Sequence, residues 1–231
     1  MKKVFSALTS GFLLLSFVLT FTSCGSSLKA TRGALYPKMY EYAPSTILIM
    51  PPINQTNVVE APEYFYSSLA VPLMERGYYV FSPYLSLDLL QSESAANAEN
   101  FIDSKSLAPF ANVFGADAVL FTKITKWNKL AVLSQIEVEI EYILKSTRDS
   151  QVLFDRKVNL TVDKSSTIQG AGIWGILGNM LVTALTDEIY AARKANNFVL
   201  SDLPSGKYRE DYAKDKETGA YPKVIDHITV N

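Results

Sequence analysis

Gln135-Ile-Glu-Val-Glu-Ile-Glu-Tyr142 alternates without a fault: Ile136, Val138, Ile140 and Tyr142 fall on one face, and Gln135, Glu137, Glu139 and Glu141 on the other. A period of two over eight residues reads as a strand with one dry and one wet side. Downstream, Val152 to Val162 alternates similarly, with Phe154, Val158, Leu160 and Val162 facing in and Asp155, Lys157, Asn159 and Thr161 facing out. The polar link Ser146-Thr-Arg-Asp-Ser150 has hairpin length. Upstream, the turn Gly115-Ala116-Asp117 leads into Ala118-Val-Leu-Phe-Thr-Lys-Ile124. Together the three runs predict an antiparallel meander.

Further upstream the pattern differs. Thr46-Ile-Leu-Ile-Met50 is a continuous apolar run closed by Pro51-Pro52, as in a strand buried on both faces and flanked by helices. From Pro62 to Arg76 the apolar positions Phe65, Leu69, Leu73 and Met74 recur at helical spacing, with Gly77 placed as a C-cap and Pro72 expected to kink the helix. Tyr78-Tyr-Val-Phe81 supplies a second short strand, which completes a parallel strand-helix-strand unit. Leu85 to Leu90 reads as one or two helical turns, and Ala95 to Phe114 as a helix interrupted at Pro109. A last helix from about Ile173 to Lys194 aligns Leu177, Leu181, Leu185, Ile189 and Ala192, and should cover the dry face of the meander. The predicted fold is a single α/β domain over residues 46–198, a mixed five-stranded sheet covered by helices. Residues 199–231 lose periodicity while charge rises from Lys207 to Glu217, so they read as an extended or weakly ordered tail, wrapped on the domain or free.

The amino terminus carries an address. Lys2 and Lys3 precede an apolar run ending Phe12-Leu-Leu-Leu-Ser-Phe-Val-Leu-Thr-Phe21, and Phe21-Thr22-Ser23-Cys24 follows as a loose lipobox. Cys24 is the only cysteine in the chain, which favours an acylated lipoprotein over a plain secretory signal or an uncleaved anchor. The run is also short of the about 20 apolar residues a spanning helix needs. On this reading residues 1–23 are a signal peptide and 24–45, with their Gly, Ser and Pro, a lipid-anchored tether. Cleavage before Cys24 leaves 208 of the 231 residues and, with Lys2 and Lys3 gone, takes the formal charge from −1 to −3. With its one cysteine acylated the domain has no disulfide, and its stability must come from a packed core.

Composition narrows the chemistry. Twenty-two basic against 23 acidic residues, without a basic stripe, argue against nucleic acid. The single histidine, His227, sits in the unpatterned tail, so a serine or cysteine nucleophile lacks its usual base and a zinc site its usual ligands. Neither an enzyme nor a cofactor is expected. Glu137, Glu139 and Glu141, about 7 Å apart along one strand face, are too regular for a calcium cage. They read as a solvated face that could dock a basic partner. Gly170-Ala-Gly172-Ile-Trp-Gly175 matches a dinucleotide-binding string, but an antiparallel meander precedes it and no second strand-helix-strand unit follows. Ser165 to Thr186 contains no charged residue. Its apolar part is too short to cross a bilayer, which leaves core packing, membrane contact or a partner interface around Gly172, Trp174, Gly175 and Gly178.

Four segments carry a resemblance: Ile-Leu-Ile-Met-Pro-Pro-Ile-Asn (47–54), Glu-Arg-Gly-Tyr-Tyr-Val-Phe (75–81), Phe-Gly-Ala-Asp-Ala-Val-Leu (114–120) and Ile-Thr-Lys-Trp (124–127). With the turn Leu203-Pro-Ser-Gly206, their order and spacing resemble a family of bacterial lipoproteins of unknown function, the meningococcal vaccine-candidate type, over about residues 24 to 205. The resemblance implies a fold like the TolB amino-terminal domain and the CsgG periplasmic domain. It also implies a CsgG-like lipoprotein as partner and no catalytic residues. The reading is therefore a periplasm-facing outer-membrane lipoprotein, an accessory subunit of an envelope secretion or assembly complex. The alternative is a small-molecule or glycan-binding component of a transporter or of cell-wall synthesis. An exposed strand edge or apolar patch favours the first, and an apolar pocket with convergent polar groups the second.

Overall fold

The computed structural model describes residues 30–130, 135–163 and 188–230. The chain begins with two short helices, α1 (Arg32–Leu35) and α2 (Pro37–Tyr42). Strands β1 (Thr46–Ile49) and β2 (Ile53–Asn54) follow, then helix α3 (Ala61–Glu75) and strand β3 (Tyr79–Val80). Helices α4 (Pro83–Ser92), α5 (Glu99–Ile102) and α6 (Ala108–Phe114) lead into the long strands β4 (Ala118–Leu130), β5 (Gln135–Ser146) and β6 (Val152–Asp163). Residues 188–200 form helix α7, and β7 (Val224–Val230) ends the described chain.

The fold is the expected α/β domain with a mixed sheet, but the sheet has seven strands rather than five. Their order is β3-β1-β4-β5-β6-β7, with β2 also on β4. β1 and β2 act as one strand along β4, broken where Pro51 and Pro52 have no N–H to give the ladder. β4, β5 and β6 form the antiparallel meander in the expected register, while β7 adds to β6 in parallel.

Burial follows from these positions. Ile47 and Ile49 of β1 enter one core and Leu48 and Met50 the other, so this strand is covered on both faces. The larger core joins Ile136, Val138, Ile140 and Tyr142 of β5 to Phe65, Leu69 and Leu73 of α3 and Ala192 and Ala195 of α7. The smaller packs Val119 and Phe121 of β4 against Leu90 and Phe110.

Helix ends are set by local chemistry. α3 continues through Pro72, three residues from its end, and stops in a Schellman turn. There the N–H of Tyr78 bonds the Leu73 carbonyl at 3.2 Å, that of Gly77 bonds the Met74 carbonyl at 2.9 Å, and Gly77 takes φ 83°. Pro109 opens α6 in its first turn instead of interrupting a longer helix.

Both outer boundaries move. The expected tether to residue 45 is shortened, because α1 and α2 belong to the domain and Tyr36 and Met39 are core residues. The stretch after 198 takes the first of its two expected placements, wrapped on the domain, but it is more ordered than expected: α7 runs to 200, Leu203 and Ser205 are buried, and β7 adds to the sheet. Leu177, Leu181 and Leu185 of the expected last helix lie outside the described residues.

Candidate functional site

The residues singled out from sequence divide into two groups. Cys24, Gly172, Trp174, Gly175 and Gly178 lie outside the described residues. Glu137, Glu139 and Glu141 line the uncovered face of β5 as expected, yet each meets a lysine. Lys126 pairs with Glu137 at 2.7 Å, Lys157 with Glu139 at 2.7 Å and Lys123 with Glu141 at 3.5 Å. The hydrogen bond from Lys157, with another from the Thr125 hydroxyl, holds the Glu139 carboxyl below the usual carboxylate range. The face is a balanced ion ladder rather than an acidic surface, and a ladder without net charge steers a basic partner little.

The residues that sequence reasoning missed form a buried clasp. Arg156, on the inward face of β6 between Phe154 and Val158, is 1% exposed. It donates to the Tyr36 hydroxyl at 2.9 Å, to Asp202 at 2.7 Å and to the Tyr221 carbonyl at 3.0 Å, while its Nε is buried without a partner among the described residues. Arg32 bridges Asp202 at 3.4 Å and Asp215 at 3.0 Å. Asp215 also accepts from Arg76, from the Tyr40 hydroxyl and from the Ser205 N–H. Burial pushes the Asp215 carboxyl up, but the Ser205 N–H, the Tyr40 hydroxyl and Arg32 outweigh it and hold it below the usual range. Every carboxylate oxygen is directed at a donor inside the clasp, so its chemistry is fastening rather than catalysis. The only advance signal was a charged residue at an inward-facing strand position.

The clasp locks a strap, residues 201–223, against the C-terminal turn of α3, just before β3 begins. The strap crosses the α3 turn where Gly206 N–H bonds the Arg76 carbonyl at 2.7 Å and Tyr208 N–H bonds the Gly77 carbonyl at 3.0 Å. A Cβ on Gly206 would lie 2.3 Å from the Gly77 oxygen, so only glycine permits this crossing. Beside α1 the strap bonds to the first described residues: Ala220 N–H to the Ala30 carbonyl at 2.8 Å and Arg32 N–H to the Thr218 carbonyl at 2.9 Å.

The described surface offers an edge more than a pocket. A cleft of about 540 Å³ opens beside Tyr42, Gly115, Asp117, Thr147 and Arg148. Its Asp117 carboxylate is already engaged by the N–H groups of Ser45 and Thr46, and Arg148 lies over the Tyr42 ring. By contrast β7 ends the sheet with Val224, Asp226, His227 and Thr229 exposed, and among the described residues no strand pairs its outer side. The β3 edge is only two residues long, Tyr79–Val80. Also among the described residues, no group of three or more His, Cys, Asp or Glu could hold a metal ion, and no helix is long and apolar enough to cross a membrane.

Comparison with known proteins adds the family. The sequence profile described as "Putative lipoprotein GNA1162-like" matches residues 35–207, 173 of the 231. A curated relative, "Putative lipoprotein NMB1124/NMB1162" of Neisseria meningitidis serogroup B, is 26% identical over 164 residues, covering 69% of this chain and 75% of that protein. Among solved structures, lipoprotein GNA1162 from Neisseria meningitidis superposes with a TM-score of 0.46 at 26% identity, covering 64% of this chain and 99% of that one. The LpoB C-terminal domain from Salmonella enterica gives 0.36 at 18% identity, covering 58% and 96%. No activity or partner follows from superpositions at this level, and the CsgG-like partner implied by the resemblance gains no support. The matched region contains the sheet from β1 to β6 and ends before most of the strap and β7, and on that match the chain belongs to the GNA1162-like lipoprotein family.

Proposed function

We propose that this protein is a periplasm-facing lipoprotein of the outer membrane, anchored through acyl chains on Cys24, and that it acts as a non-catalytic binding subunit of an envelope secretion or assembly complex. Family membership supports the lipoprotein character. The observation that carries the binding role is the exposed outer side of β7, a seven-residue edge on which an extended segment of an envelope protein can add a strand. A small-molecule or glycan-binding role is less well supported, because the Asp117 carboxylate of the cleft beside Tyr42 and Arg148 already serves backbone N–H groups. The uncharged stretch around Trp174 remains a second candidate contact. Its described flanks, Asp163 and Glu188, lie at the end of the sheet away from Ala30, with Asp163 opposite Gln135 and Glu188 paired to Lys129.

Photocrosslinking in intact cells tests this reading. A crosslinking side chain at Asp226 or Thr229 should give discrete protein adducts that identify the partner, and Cys24→Ala should lose them. No adduct at either position, or turnover of a cell-envelope substrate by the purified protein, refutes the binding role.

A further inference from the structure

The strap end of the domain is also where the chain leaves toward Cys24. Ala30 is hydrogen-bonded to Ala220, Thr31 bridges Gly219, and Gly33 N–H bonds the Lys216 carbonyl at 2.9 Å. Six Cα–Cα steps, through five residues, separate Cys24 from Ala30, and whatever their conformation they reach at most about 20–22 Å. An acylated cysteine lies at the base of the headgroup layer, which takes up about 5–7 Å of that reach. About 15 Å is left, while β4 alone is about 43 Å long at ~3.3 Å per residue. A leash this short cannot let the far end of the domain turn toward the bilayer.

The strap surface has the composition of a membrane interface. Tyr208 is 68% exposed, Tyr212 is half-buried, and Lys207, Arg209, Lys214 and Lys216 are interleaved with Glu210, Asp211 and Glu217. Tyrosines with nearly balanced charge fit zwitterionic headgroups better than a strongly anionic surface, which a basic cluster would select. The strap is also rigid, because Asp215 and Asp202 hold it from beneath through Arg32, Arg76 and Arg156.

From the exit point, the reach and this surface we infer that residues 207–219 of the strap are a lipid-docking face that lies on phosphatidylethanolamine-type headgroups and directs the opposite end of the sheet away from the membrane. The inference rests on the acylation of Cys24 proposed above. It makes the strap, most of which lies outside the region matched by the family profile, a device of this chain that orients the domain.

The test uses the acylated protein inserted into preformed vesicles of phosphatidylethanolamine and phosphatidylglycerol (3:1), treated with a short amine-to-amine crosslinker and read by peptide mass spectrometry. Phosphatidylethanolamine adducts are expected on Lys214 and Lys216. None is expected on Lys126 or on Lys129, which lies about 35 Å along β4 from Ala118, the first residue of that strand. A parallel sample, the unacylated chain from residue 24 coupled through the Cys24 thiol to a maleimide lipid, separates anchor from orientation. Adducts at Lys214 and Lys216 in that sample, with no acyl mass on the native protein, would refute acylation and leave the docking face standing. Adducts spread evenly over the four lysines, or absent from Lys214 and Lys216 in the coupled sample, overturn the docking face.

Discussion

Replacing Arg156 by methionine keeps most of the side-chain volume and removes the charge at the centre of the clasp. The Asp202 carboxylate, 6% exposed as a side chain, then loses its 2.7 Å partner and keeps only Arg32 at 3.4 Å and the Tyr221 N–H. The Tyr36 hydroxyl and the Tyr221 carbonyl each lose a charged donor as well. Leaving one member of a buried pair behind costs about 3–5 kcal/mol, which for a domain of this size lowers Tm by about 6–20 °C. Asp202→Leu should cost a similar amount by stranding Arg156. The double variant Arg156→Met with Asp202→Leu should cost much less than the sum of the two, because it removes both charges together. Urea melts of the four proteins supply the cycle, and trypsin cleavage at Lys207 to Lys216 reports release of the strap. Additive single effects, or an Arg156→Met protein within about 1 kcal/mol of wild type with the strap still resistant, would refute the clasp.

Three further outcomes follow from the same geometry. Val138→Asp places an unpaired charge at a fully buried position and should unfold much of the domain, whereas Glu139→Lys, on the half-buried ladder, should cost about 1 kcal/mol or less in thermal melts. Gly206→Ala forces a methyl against the Gly77 carbonyl and should destabilise by about 1–3 kcal/mol, measured by urea unfolding, while Ala at Gly115, where nothing lies within 4 Å, meets only its φ of 68°. The folded Asp215 carboxyl sits below its unfolded value, so its contribution is present above about pH 4 and is lost as pH falls through the folded value. Stability measured from pH 7 downward should fall less steeply in that acid range for Asp215→Asn than for wild type.

The parts of this fold legible in sequence are those whose cause is local. The alternation of 135–142, the double-sided run 46–50 and the apolar spacing of 62–76 each report one element and its buried side, and all three elements formed. The parts that were missed depend on distant partners. α1 and α2 have four and six residues, too few to show a period, and they are ordered by contacts with Asp155, Asp202 and Asp215 more than 100 positions away. β7 is rich in β-branched residues, yet its inward positions step from Ile225 to Ile228 across a bulge, which breaks the two-residue period. The Glu ladder was placed on the correct face, but its charge balance was hidden because Lys123, Lys126 and Lys157 come from neighbouring strands. Of the final helix only residues 188–200 are described, and it extends past Lys194 because Val199 and Leu200 continue into the core.

The proposed role stands on acyl chains at Cys24, and one comparison tests that directly. Wild type and Cys24→Ala are expressed with a fatty-acid probe, fractionated into membrane and soluble parts, and analysed by intact mass. Wild type is expected to take up label, to gain the mass of a diacylglyceryl group and an amide-linked chain on a protein beginning at Cys24, and to sediment with the outer membrane. Cys24→Ala is expected to remain unprocessed and unlabelled. Equal labelling of the two proteins, or a wild type recovered as soluble protein with a free thiol, contradicts the account.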